Sequence, residues 1–224
     1  ARITAERDDN RMKCRTFYLS FFVTLILGVS LALAQSTPRL ESTLRTIPPA
    51  RGILGHNGMV VAQERTAARI GVEILDRGGN AVDAAVAVGF ALAVTYPRAG
   101  NIGGGGFMVI HVAKDHRDIA IDYRETAPGA ATPTMFLDAQ GNPDPAKSRD
   151  SGLSVGVPGT VAGLALAQKK YGSGKLSLAD LLAPAIRLAE QGFSVQDDIV
   201  DSMPRVAKRL ARWPSTAGIL LKNG

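Results

Sequence analysis

Apolar residues recur at positions 67, 70, 71, 74 and 75 within Thr66–Arg77, the spacing that lines one face of a helix. Gly78-Gly79 then offers a stop, because glycine takes the left-handed conformation at no steric cost, and Asn80 suits the cap of the next helix. From Ala81 to Val94 the pattern changes. Asp83 is the only charge, three residues after the cap, in a run of Ala, Val, Phe, Leu and Gly. Fourteen residues are too few to cross a bilayer, so the run predicts a helix buried on most faces. Its small side chains let other elements come close. Tyr96-Pro97 ends it, since proline disfavours α geometry in the residue before it.

Four glycines, Gly103 to Gly106, lead into the apolar run Phe107-Met108-Val109-Ile110. Such a run permits φ > 0 and close backbone approach. Phe107–Val112 and Ile119–Tyr123 read as two strands of a hairpin joined at Lys114–Asp118. Arg124 follows at the end of the second strand, just before Ala127-Pro128-Gly129. A cation held by a rigid element and facing a loop is a candidate ligand-binding residue. The plainer alternative is a solvated arginine or a weak surface ion pair.

Elsewhere the pattern predicts a short strand at Val60-Val61-Ala62, a turn cluster at Asp138–Pro143 and a strand at Ser154–Val157. It also predicts an amphipathic helix over Thr160–Tyr171, ended by Gly172. Ser177-x-x-Asp180 is a capping box opening a helix to Gln191, with Gly192 as its stop. A further polar helix is expected from Phe193 onward, interrupted at Pro204. There is no internal repeat. The class is α+β, in layers.

Upstream of all this, Met12 reads as the natural start. Lys13 and Arg15 precede the apolar run Phe17–Ala34, which closes on Ala32-Leu33-Ala34 before Gln35. That is the layout of a secretory signal with an A-x-A cleavage site, which implies export to the periplasm or outside the cell. A membrane anchor over residues 17–34 is the competing reading, weakened by Ser20, Thr24 and Ser30. The chain is read as 1–34 upstream residues and signal, 35–57 exposed leader, and 58–224 as part of a larger globular protein. Cys14 is the single cysteine, so cleavage would leave a chain with no disulfide, thiolate zinc site or cysteine nucleophile.

Charge narrows the partners. The net charge is +6; residues 1–34 hold five basic and three acidic side chains, so 21 and 17 remain and the balance is +4. Basic residues are scattered without interleaved aromatics, which disfavours nucleic acid. His56, His111 and His116 are not at metal-ligand spacing, and no metal site is expected. Gly152-Leu-Ser154-Val-Gly156 matches the G-x-S-x-G nucleophile elbow, which needs a strand before Ser154, a helix straight after it and a downstream histidine. Pro158-Gly159 intervenes and no histidine follows His116, so a small serine in a tight strand is the better reading. Gly103–Gly106 lacks the G-x-G-x-x-G register and runs into a strand rather than a helix, so it is not a phosphate cradle. Thr160 reads as a residue opening a helix.

Taken together, GGNAVDAAVA, NIGGGGFMV, DYRETAP and VPGTVAG resemble the gamma-glutamyltransferase (gamma-glutamyltranspeptidase) family, in order and at ordinary spacing, over roughly Gly58 to Val195. The resemblance implies the N-terminal-nucleophile hydrolase fold, a four-layer αββα sandwich of which this chain would be the incomplete N-terminal part of the large subunit. It implies a precursor that cuts itself, releasing a small subunit whose new N-terminal threonine is the nucleophile. That threonine would lie beyond residue 224, so no catalytic residue is assigned here. It further implies glutathione or another γ-glutamyl donor, an acceptor amino acid, peptide or water, and no cofactor. Arg124 is the one residue carried over, as partner of the donor's α-carboxylate, which a guanidinium can grip bidentately. A beta-lactam (glutaryl) acylase shares these motifs and is the rival within the fold. A non-catalytic binding domain or truncated relic is the rival outside it.

Overall fold

The computed structural model describes residues 52–221. The expected signal over 1–34 and most of the expected leader over 35–57 therefore lie outside the described residues. Residues 55–221 belong to one of the chain's two units and are described by themselves.

Helix α1 (Arg65–Asp76) buries Ala67, Ile70, Gly71 and Ile74, the stripe the periodicity picks out. Its cap is Glu64, whose carboxylate accepts from Thr66 N at 2.7 Å and Ala67 N at 2.8 Å. Helix α2 (Ala81–Thr95) begins with a complete capping box: Asn80 Oδ1 accepts from Val82 N and Asp83 N, and Asp83 Oδ2 accepts from Asn80 N. Only Ala81 and Ala85 of this helix are exposed. Helices α1, α4 (Thr160–Tyr171) and α5 (Leu178–Gln191) all pack on it. Small residues make the approach possible: a Cβ on Gly71 would lie 2.8 Å from Val88 Cγ2, and one on Gly89 would lie 3.1 Å from Leu164 Cδ1. The core is thus α2 and what covers it, with Phe90, Val86, Leu164 and Leu181 buried together.

Strands β1 (Phe107–Val112) and β2 (Arg117–Asp122) pair antiparallel from Phe107↔Asp122 to Val112↔Arg117. One face carries Met108, Ile110, Ile119 and Ile121 and packs on the core. The other leaves Phe107 65% and Val109 77% exposed. The turn is tighter than Lys114–Asp118: a 3₁₀ turn over Ala113–Asp115 and His116 at φ 48° reverse the chain, so β2 starts two residues earlier than expected.

Helix α3 (Pro145–Asp150) follows the turn at Asp138–Asn142, and α5 carries the expected Ser177/Asp180 capping box. Three expectations fail. Val60–Ala62 forms no strand. Gly152–Ser154 is a 3₁₀ turn, and of the expected Ser154–Val157 strand only a single bridge, Thr126↔Val157, exists. Helix α6 (Asp197–Leu210) runs through Pro204 without a break, the lost N–H being one bond among many in a 14-residue helix. A last helix, α7 (Pro214–Leu220), was not legible in the pattern. The described residues are mixed helix and sheet; the hairpin is the sheet they contain.

Candidate functional site

Arg124 sits two residues past the end of β2, exposed, on the rim of an open cavity of about 470 Å³. Thr126, Pro128, Met135, Phe136 and Ser154 share its lining. Among the described residues no acidic side chain pairs with the Arg124 guanidinium. Its backbone, by contrast, is held from several sides.

The ladder continues one step past the strands, with Tyr123 N donating to Gly106 O at 3.0 Å and Gly106 N to Tyr123 O at 3.4 Å. Asp122 Oδ1 accepts from Arg124 N at 3.0 Å, bending the chain as the strand ends. Thr126 and Val157 then exchange backbone bonds at 3.3 and 2.9 Å. Between these fixed points, glycine backbones close in. A Cβ on Gly105 would lie 2.6 Å from Tyr123 O and 2.7 Å from Arg124 Cα. One on Gly159 would lie 2.0 Å from Tyr123 O, and one on Gly163 would lie 2.2 Å from Tyr123 Cγ. Tyr123 is half-buried there, and burial pushes its hydroxyl above the ordinary tyrosine value.

The glycine run therefore provides close approach, as expected, but not φ > 0: none of Gly103–Gly106 is left-handed. What it approaches is the chain after β2 rather than α2. Gly105 and Gly106 lie on the segment that bears Arg124, while Gly100 is the glycine pressed on the end of α2, where a Cβ would meet Leu92 O at 2.0 Å.

The remaining candidates separate. Ser154 Oγ donates to Ser151 O at 2.7 Å from the end of a 3₁₀ turn, with neither the strand before nor the helix after that a nucleophile elbow requires. Thr160 opens α4, as read, with its hydroxyl turned to Asn101 Oδ1 at 2.6 Å. His111 bonds Asp118 Oδ1 at 2.8 Å on the exposed hairpin face. Among the described residues no cluster of His, Cys, Asp or Glu has the makings of a metal site. Asn101, Tyr123, Gly159 and Gly163 were not singled out from the sequence. The available signal was that NIGGGGFMV and VPGTVAG each carry a glycine or a small polar residue with no local duty; for Tyr123 there was none.

Comparison with known proteins gives these motifs a common context. The family model for gamma-glutamyltranspeptidase matches residues 67–224, extending past Val195, the rough limit of the resemblance read from the sequence. The glutathione hydrolase proenzyme of Escherichia coli (strain K12) is 56% identical over 168 residues, which is 75% of this chain and 28% of that protein. The acylase ACY 1 proenzyme of Pseudomonas sp. (strain V22) is 41% identical over 176 residues, 76% of this chain and 31% of that one. The crystal structure of Helicobacter pylori gamma-glutamyltranspeptidase superposes with a TM-score of 0.74 at 45% identity, covering 78% of this chain and 49% of the other. The chain thus spans between about a quarter and a half of the length of these relatives.

Proposed function

The chain belongs to the gamma-glutamyltranspeptidase family, and from this we propose that it is the N-terminal part of the large subunit of a self-cleaving γ-glutamyl-transferring enzyme, with Arg124 as the residue that grips the donor's α-carboxylate. In the full-length enzyme the N-terminal threonine of the small subunit adds to the γ-carbonyl of glutathione or a related donor. Its hydroxyl proton passes to its own α-amino group and on to the leaving amine. Water, an amino acid or a peptide then takes the γ-glutamyl group from the threonyl ester.

One observation carries the assignment of Arg124. Its backbone is held on several sides by NIGGGGFMV and VPGTVAG, while its guanidinium is exposed on a cavity rim with no acidic partner among the described residues. A rigid stem with a free fork is what bidentate capture of a carboxylate calls for. The apolar outer face of the hairpin, Phe107 and Val109, supports a second sheet stacked on it in the four-layer sandwich, since large exposed apolar side chains side by side mark a covered surface. Residues 1–34 serve as an export signal in this reading, with the mature protein in the periplasm or outside the cell.

The test uses the full-length enzyme and two donors, a γ-glutamyl anilide and the 4-aminobutanoyl anilide, which is the same molecule without its α-carboxylate. Deleting one partner of a desolvated charge pair costs on the order of 2–5 kcal/mol. Arg124→Ala should therefore lower kcat/KM on the first donor by roughly thirty- to several-thousand-fold and change the second little. Arg124→Lys should recover only part of the loss, because it keeps the charge without the fork. Self-cleavage should survive both changes. An equal penalty on both donors would make Arg124 a structural residue. The acylase-like relative gives the second reading a foothold, and a preference for glutaryl over γ-glutamyl anilides would favour it.

A further inference from the structure

Thr160 is 6% exposed and stands at the first position of α4, where a helix needs no hydroxyl. Its Oγ1 nevertheless donates to Asn101 Oδ1 at 2.6 Å, across 59 residues of sequence. The same Asn101 oxygen accepts from Gly104 N at 2.9 Å. Gly104 O in turn accepts from Gly159 N at 2.8 Å and Thr160 N at 3.0 Å. Three bonds thus join the Asn101–Gly104 segment to the start of α4, and a fourth, within that segment, shares the Asn101 oxygen.

The segment bearing Arg124 runs against both of the elements this ring fastens. Gly105 faces Arg124 Cα from the glycine run, and Gly159 faces Tyr123 O and Arg124 O from the helix start. The spacing of the two elements therefore sets where the Arg124 backbone can sit. Neither Thr160 nor Asn101 lines the cavity.

We infer that the Thr160–Asn101 hydrogen bond is a positioning latch: it fixes the distance between the glycine run and α4 and thereby aims Arg124 at the substrate carboxylate. This rests on the reading of Arg124 given above. Both residues act through Arg124 and touch no substrate. Asn101 suits the role because its single carbonyl oxygen has two lone pairs, one for Gly104 N and one for the Thr160 hydroxyl.

Thr160→Val keeps the branched shape and removes the donor. In the full-length enzyme it should lower kcat/KM for the γ-glutamyl anilide by about three- to thirty-fold, mainly through KM, the size expected for one part-buried hydrogen bond. The 4-aminobutanoyl anilide should change by less than about twofold, since it has no carboxylate for Arg124 to meet. Thr160→Ser restores the hydroxyl and should restore the rate. The double variant Thr160→Val/Arg124→Ala should lose no more than Arg124→Ala alone, because the latch acts only through that arginine. Self-cleavage yield reports folding; if the valine variant does not process, Thr160→Ala, with a better helix former, is measured for the same split. Equal losses on both donors, or additive losses in the double variant, would overturn the latch. If Arg124→Ala itself fails to discriminate the donors, the reading of Arg124 falls. If Arg124→Ala discriminates and Thr160→Val does not, the latch alone falls.

Discussion

Within Gly103–Gly106 the four glycines should not be equivalent to alanine. A Cβ at Gly103 meets nothing within 4 Å, and its backbone is not left-handed. A Cβ at Gly105 meets three main-chain atoms, Tyr123 O at 2.6 Å and Arg124 Cα and Glu125 N at 2.7 Å. Ordinary contact begins near 3.4 Å, so the two segments would have to part by about 0.8 Å. No rotamer change relieves a clash with backbone. Overpacking of this kind costs roughly 1–3 kcal/mol. Parting also strains the Tyr123–Gly106 bonds at 3.0 and 3.4 Å, each worth about 1 kcal/mol. Gly105→Ala should thus destabilise by about 2–4 kcal/mol. Gly103→Ala should be neutral or stabilising by up to about 1 kcal/mol, because alanine restricts the unfolded chain. The assay is the thermal midpoint of the full-length enzyme at one scan rate, with kcat/KM on the γ-glutamyl anilide measured beside it. Gly105→Ala should lower both, and Gly103→Ala neither. Two variants with the same midpoint would refute the claim that Gly105 is in contact with the Arg124 segment.

Two further outcomes are expected. Burial pushes the Glu64 carboxyl up and is the largest single influence, but the N–H groups of Thr66 and Ala67 and the hydroxyls of Thr95 and Thr66 together hold it below the usual glutamate value. Its contribution is therefore present above the unfolded glutamate pKa, near pH 4, and is lost as pH falls through the lower folded-state value. Glu64→Ala should cost about 1–2 kcal/mol at neutral pH and flatten the acid limb of a stability–pH profile, and an unchanged limb would remove Glu64 as its source. Secreted full-length protein should begin at Gln35 by N-terminal sequencing, and recovery of residues 17–34 in the membrane fraction would favour the anchor instead.

The sequence alone determined the elements whose cause is local. The α1 stripe, the Asn80 and Ser177 capping boxes, and the Pro97 stop depend on residues within one or two turns of each other, so they were legible by position. Where a distant neighbour decides, the local pattern misled. Val155 and Val157 have strand propensity, but Gly152–Ser154 coils and Val157 finds only Thr126 as partner, so no strand extends. Pro204 looked like a break, yet one missing N–H did not end a helix with so many other bonds. Arg124 could be singled out from its place after a strand, whereas what holds it could not. Asn101, Gly105, Gly159 and Thr160 are separated from one another by up to 59 residues, and no local pattern ties any of them to Arg124. Only folding brings NIGGGG, DYRETAP and VPGTVAG to one junction, where the missing side chains of the glycines become the space that Tyr123 and Arg124 fill. A glycine's absent side chain acquires meaning from what lies opposite it, and that is a property of the tertiary structure.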